Sequence, residues 1–91
     1  MEIDIAHVVT SLNGRDKGKC FIVVGKEGEY SFLADGKGRR LEKPKRKKNN
    51  HIKSEGTIKN QIADKLTSGE KATNNEVRRA LAEYAATREQ E

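Results

Sequence analysis

The chain has 91 residues, a formal net charge of +5, 33% hydrophobic residues and no tryptophan. That length fits one domain with a single modest core. The apolar content is too low to line both a core and a deep substrate pocket, so an enzyme is not expected, and part of the chain is expected to be solvated when free.

Ala6 to Leu12 is rich in β-formers and reads as a strand. Asn13-Gly14 is a turn signal, followed by a polar loop to Lys19. Cys20 to Val24 is an almost continuous apolar run, as in a strand buried on both faces. Cys20, the only cysteine, is expected to pack in that strand. Gly25 to Gly28 reads as a turn, and Tyr30 to Ala34 as a third strand with Tyr30 and Phe32 on one face. Asp35-Gly36 is a further hairpin signal, and Arg39 to Leu41 is a candidate short fourth strand. Lys43 to Asn50 has no apolar residue except the ring of Pro44, so it reads as a surface arm or long loop. His51-Ile52 returns the chain to a last short strand. Several short strands divided by turns predict a small barrel or sandwich.

After Gly56 the period becomes helical. Ile58, Ile62 and Leu66 form one stripe, which Ser68-Gly69 ends. Thr73-Asn74-Asn75-Glu76 is a capping box. Val77, Ala80, Leu81 and Tyr84 form the stripe of a second helix, expected from about residue 74 to 86 with Thr87 to Glu91 frayed. That stripe is expected to pack within the chain, with Arg78 and Arg79 projecting away from it. The fold class is thus mainly β with C-terminal helices: a small β-barrel (1–53, with a basic arm at 37–53) and then a helical hairpin (54–91).

The charge is concentrated. Residues 1–36 sum to −2, residues 37–53 to +8 and residues 54–91 to −1. So focused a block reads as a polyanion footprint; a basic localisation signal and a merely solvated tail are the alternatives. Cations at phosphates release condensed counterions. Arg39-Arg40 suit bidentate contact, and Lys45 to Lys48 suit diffuse neutralisation. Arg15, Lys17 and Lys19 add three cations in the loop, where Gly14 and Gly18 permit positive φ.

Other chemistry lacks support. The Gly14–Lys19 loop departs from phosphate-loop spacing and joins two strands, so nucleotide hydrolysis is not expected. His7 and His51 are the only histidines, and no Cys, His and carboxylate set has metal-ligand spacing; no cofactor or metal is expected. His51 ends the basic block, where contact with RNA and a structural role both remain open. Aromatic residues are few, which favours recognition of RNA shape and backbone over base stacking across a sheet. The longest apolar run is too short to span a membrane. Met1-Glu2-Ile3-Asp4 has no basic start or apolar signal core, so a cytoplasmic protein is expected.

Val8 to Val24 resembles the KOW motif, a strand, a basic glycine loop and a second strand, with its characteristic glycine at Gly18. Ala34-Asp35-Gly36, Arg39 to Lys45 and His51-Ile52 look like the bacterial KOW-domain relatives of the "fourteen-e" large-subunit ribosomal protein family. Arg78 to Leu81 is similar to the core of a C-terminal helix in those relatives. Asn49-Asn50 depart from the pattern, where a more basic or apolar lead-in to His51 is expected. The resemblance implies an SH3-like barrel that binds RNA, with ribosomal RNA of the large subunit and neighbouring ribosomal proteins as expected partners. It implies RNA contact by Arg15, Lys17 and Lys19 in the loop. In the block it implies contact by Arg39, Arg40, Lys43, Lys45, Arg46, Lys47, Lys48, His51 and Lys53, and the charge block itself adds Lys37. KOW barrels also occur in transcription elongation factors, so a protein-interaction module of the transcription or translation machinery is the alternative. No membrane and no small-molecule substrate is expected.

Overall fold

The computed structural model describes residues 3–58 and 61–89. Five strands, β1 (His7–Ser11), β2 (Cys20–Glu27), β3 (Tyr30–Ala34), β4 (Lys45–Lys48) and β5 (Ile52–Thr57), precede helices α1 (Gln61–Ser68) and α2 (Asn74–Glu89). All strand pairs are antiparallel, in the order β4-β3-β2-β1-β5. The edge strands β4 and β5 are consecutive in the chain and joined only by a single 3-10 turn, Asn49–His51. A flat sheet would separate them by roughly 19 Å at about 4.8 Å per strand. The four steps from Lys48 to Ile52 reach at most about 14 Å. The sheet is therefore curled until its edges approach. Lys47 of β4 donates to Ser11 Oγ of β1 at 2.7 Å across that curl.

The apolar run of β2 is buried on both faces, as its pattern predicts. Phe21 and Val23 point inward to Val9, Leu33 and Ile52. Ile22 points outward and, with Val8, meets Ile58, Ile62, Val77 and Ala80 beneath the helices. The stripes of both helices face this outer core, with Leu66, Leu81 and Tyr84 packed around it. Ile58 belongs to it from the chain ahead of α1. The capping box forms as read: Glu76 N donates to Thr73 Oγ1 at 3.2 Å, and Thr73 N donates to Glu76 Oε1 at 3.1 Å. Lys65 of α1 joins Glu76 of α2 at 2.7 Å and holds that carboxyl below its ordinary range. Tyr84 donates to the Glu55 carbonyl at 2.7 Å and fastens α2 to β5.

Several local expectations are corrected. Arg39 to Leu41 is turn and coil, and the fourth strand is Lys45–Lys48, inside the stretch read as an arm. Charge does not forbid an edge strand, which needs one backbone partner, and lysines are a common guard against edge association. Here β4 pairs with β3 at Leu33–Lys45, Phe32–Arg46, Ser31–Lys47 and Tyr30–Lys48. β2 continues through Gly25 to Glu27, and the reversal is at Gly28-Glu29; the register shift between Val23 and Gly25 leaves Val24 as the extra residue, and Gly25 pairs with Phe32. Cys20 is exposed rather than packed, because the inward and outward faces of β2 begin at Phe21 and Ile22. β5 runs to Thr57, past the barrel boundary expected at 53. α2 continues to Glu89, so Thr87 is helical where fraying was expected, and residues 90 and 91 lie outside the described residues.

Gly36 is the tightest junction between sheet and helices. It is buried with φ +79°, and a Cβ there would collide with the Asn74 carbonyl and come 2.8 Å from Arg78 Cγ. Gly36→Ala is therefore expected to destabilise by about 1–3 kcal/mol. Gly38→Ala, with open space around it, is expected to stay within about 0.5 kcal/mol. Urea unfolding midpoints of the two variants check this; equal midpoints would refute the junction.

Candidate nucleic-acid interface

The loop between β1 and β2 is built by its own backbone. Gly14 and Gly18 take φ +77° and +86°, Gly18 N donates to Ser11 O at 2.8 Å, and Ser11 N donates to Lys19 O at 3.0 Å. Arg15, Lys17 and Lys19 are left exposed on it. Asp16 is not, and its side chain is 13% exposed.

The segment after β3 is organised by Asp35, whose Oδ1 accepts from Lys37 N at 2.8 Å and Arg39 N at 2.9 Å. Helix α2 grips the same segment. Asn74 Oδ1 accepts from Leu41 N at 2.8 Å, Asn74 Nδ2 donates to Glu42 Oε1 at 2.7 Å, and Arg78 donates to the Gly36 carbonyl at 2.5 Å. Arg78 is thus a clamp on the segment rather than the cation projecting away from the apolar stripe that the sequence predicts. The reason is geometric: the first turn of α2 lies against Gly36, within reach of its carbonyl.

One ion pair joins the two regions. Arg39 Nη2 donates to Asp16 Oδ2 at 2.9 Å. The Arg39 hydrogen bond holds the Asp16 carboxyl below its ordinary value; burial opposes this, and the charges of Arg39, Lys19 and Lys45 reinforce it. The loop, the segment after β3 and the start of β4 therefore converge on one carboxylate. Lys19 lies 3.7 Å from Asp16.

The remaining candidates sort by what holds them. Lys47 is committed to Ser11 Oγ and to the Asn13 carbonyl at 2.9 Å. Arg40 pairs with Glu42 at 3.5 Å. Arg46 lies 3.8 Å from Glu27 and 3.8 Å over the Tyr30 ring. Arg15, Lys17, Lys37, Lys43, Lys48 and Lys53 have no side-chain hydrogen bond or ion pair among the described residues. His51 is exposed on the 3-10 turn, where its carbonyl accepts from Leu12 N at 2.9 Å. Lys53 is paired with Thr10 in the sheet, so it and His51 flank the start of the basic loop.

Sequence reasoning missed Asp16, Asn74 and Leu12. Asp16 had a signal, a lone acid inside a loop of cations. Asn74 was seen only as part of a cap. Leu12, 46% exposed among cations, reads from sequence as the end of a buried strand. Among the described residues no group of three or more His, Cys, Asp or Glu side chains could hold a metal ion, and no helix is long and apolar enough to cross a membrane. Compared with known proteins, the sequence matches no family model and no curated protein.

Because the folded carboxyl of Asp16 is depressed, the stability it contributes is fully present above its unfolded value of about 4 and is lost as pH falls through the folded value. The stability difference between wild type and Asp16→Asn should be constant from about pH 5 to 8 and shrink below about pH 4. Urea titrations across that range measure it. A difference that survived unchanged in strong acid would remove Arg39–Asp16 as the link.

Proposed function

We propose that this chain binds folded RNA through its phosphate backbone, using an SH3-like barrel of KOW type as the frame. The strand order with a 3-10 turn between the two edge strands supports the barrel assignment. The observation that carries the RNA reading is the Arg39–Asp16 pair, which puts the exposed cations of the loop beside those of the basic segment. A tail would present its charge along a line. Here charge comes from two chain regions on one rigid support, which suits the surface of a folded polyanion better than a linear acidic peptide. Ribosomal RNA of the large subunit is the target this reading favours, following the sequence resemblance.

The division between committed and uncommitted cations makes the proposal testable. Each phosphate contact contributes a salt slope of about 0.7–0.9 in log affinity against log salt. Arg15→Ala, Lys17→Ala and Lys37→Ala should each reduce that slope by about one, uniformly across sequences. Lys47→Ala should instead lower stability by about 1 kcal/mol by uncoupling buried Ser11, with the slope retained. Filter binding to ribosomal RNA at graded salt reads the first effect, and urea unfolding reads the second. The protein should also sediment with large ribosomal subunits at low salt and leave them as salt rises. A protein-interaction module would keep its partner after charge reversal at Arg15, Lys17 and Lys37, and retention of full RNA affinity in that variant would defeat the proposal.

A further inference from the structure

Phe32 has an unusual position for an aromatic side chain in a chain with so few. Phe21 fills the inner core, Tyr84 packs at the outer one, and Tyr30 lies under Arg46. Phe32 belongs to neither core. It stands on the outer face of β3, at the margin of the part of the sheet that the helices cover, paired with Gly25 on one side and Arg46 on the other. A Cβ on Gly25 would lie 3.4 Å from Phe32 Cδ2, so the glycine puts no side chain of its own against the ring.

The ring contributes to a cavity of about 370 Å³, walled by Leu41 and Pro44 from one side and by Leu66 and Glu70 from the other. That volume is at the small end of ligand sites, about 300–1,000 Å³. The walls are apolar and the one charge among them is a carboxylate, so a phosphate is not what the cavity accepts. The cations stand at its border. Arg46 is the sheet partner of Phe32, Lys48 follows on the same face, and Lys43 precedes Pro44. The Arg46 guanidinium is drawn onto Tyr30 and lies 3.8 Å from Glu27, so Lys48 and Lys43 are the uncommitted cations of the three.

We propose that this groove receives one unstacked nucleobase of a bound RNA strand, lying on Phe32, with the flanking phosphates on Lys48 and Lys43. An apolar slot with an aromatic wall and cations at its border is complementary to a nucleotide, whose flat base and charged phosphate separate in the same way. Glu70 supplies an acceptor for an exocyclic amino group. This inference rests on the RNA reading above and adds to it a contact with a base.

The chain has no tryptophan, so Phe32→Trp places a single fluorescent reporter in the groove. The probes are oligo(rA), which has bases and phosphates, and inorganic polyphosphate, which has phosphates alone. Oligo(rA) should quench the indole emission of the Phe32→Trp variant, and polyphosphate should not. Phe32→Ala, and Gly25→Val, which covers the ring, should each weaken oligo(rA) by about 5- to 150-fold, the worth of one stacked base, with polyphosphate affinity unchanged. Phe32→Trp should retain wild-type affinity for oligo(rA), and it carries the test if Phe32→Ala fails to fold. Unquenched emission with oligo(rA) bound, or equal losses for both probes in Gly25→Val, would overturn the groove as a base site while leaving backbone binding intact. Wild type that binds neither probe nor ribosomal RNA would overturn the RNA reading and this inference together.

Discussion

Strand β2 is buried on both faces, and this is how a chain with so little apolar material assembles a core at all. Phe21, Ile22 and Val23 are each almost fully buried, and such a side chain contributes about 1.5–3 kcal/mol on leaving water. A sheet covered on one face only would waste half of that run. The curl closes the inner face, and the helices close the outer one. The two helices are consequently half of the packing around β2 rather than an appendage to a finished sheet. The notional boundary at residue 53 falls inside β5, which carries the carbonyl that Tyr84 grips and leads directly into Ile58 of the outer core.

That shared packing has a second effect, because the helices reach past the core and hold the basic segment. Asn74 and Arg78 lie in the first turns of α2 and fix Gly36, Leu41 and Glu42. Arg39 then fixes the loop through Asp16. Gathering many cations on a small surface costs self-repulsion. The acidic groups set among them, Asp16, Glu27 and Glu42, reduce that cost by pairing with Arg39, Arg46 and Arg40. The arginines are largely the ones tied down, whereas most of the lysines are left to solvent. Planar guanidinium groups suit fixed contacts, and ammonium groups suit mobile neutralisation.

Much of this was legible in the sequence for local reasons. The continuous run of β2 required two buried faces, the capping box fixed the start of α2, and the stripe from Val77 to Tyr84 identified its buried side. The positive φ of Gly14 and Gly18 followed from a short loop between two strands. What was not legible depended on tertiary partners. Lys45 to Lys48 looked unable to join a sheet, because the pattern that identifies strands is one of buried side chains. An edge strand needs only the backbone of β3, while its side chains leave toward solvent and the open end of the curl. Arg78 looked free because its partner is a carbonyl 42 positions earlier in the chain. The period of two puts Phe32 on the right face with Tyr30, yet its lack of a core partner depends on where α1 ends.

The strand character of β4 bears on the proposed binding as well as on folding. A flexible tail with the same lysines would lose backbone freedom on binding, at about 1–2 kcal/mol for each residue fixed. Four residues ordered in advance avoid a cost comparable to several phosphate contacts. The strand also sorts the charges by direction. Arg46 and Lys48 share the outer face with Phe32 and Tyr30, whereas Lys45 and Lys47 share the inner side, where Lys47 holds Ser11 and Lys45 adds to the field on Asp16. Two interleaved pairs of like charges thus take different surroundings only because the period of two separates them. In a tail the four would be interchangeable; in β4 a substitution at Lys47 loosens the curl, whereas one at its neighbour Arg46 or Lys48 alters the outer face.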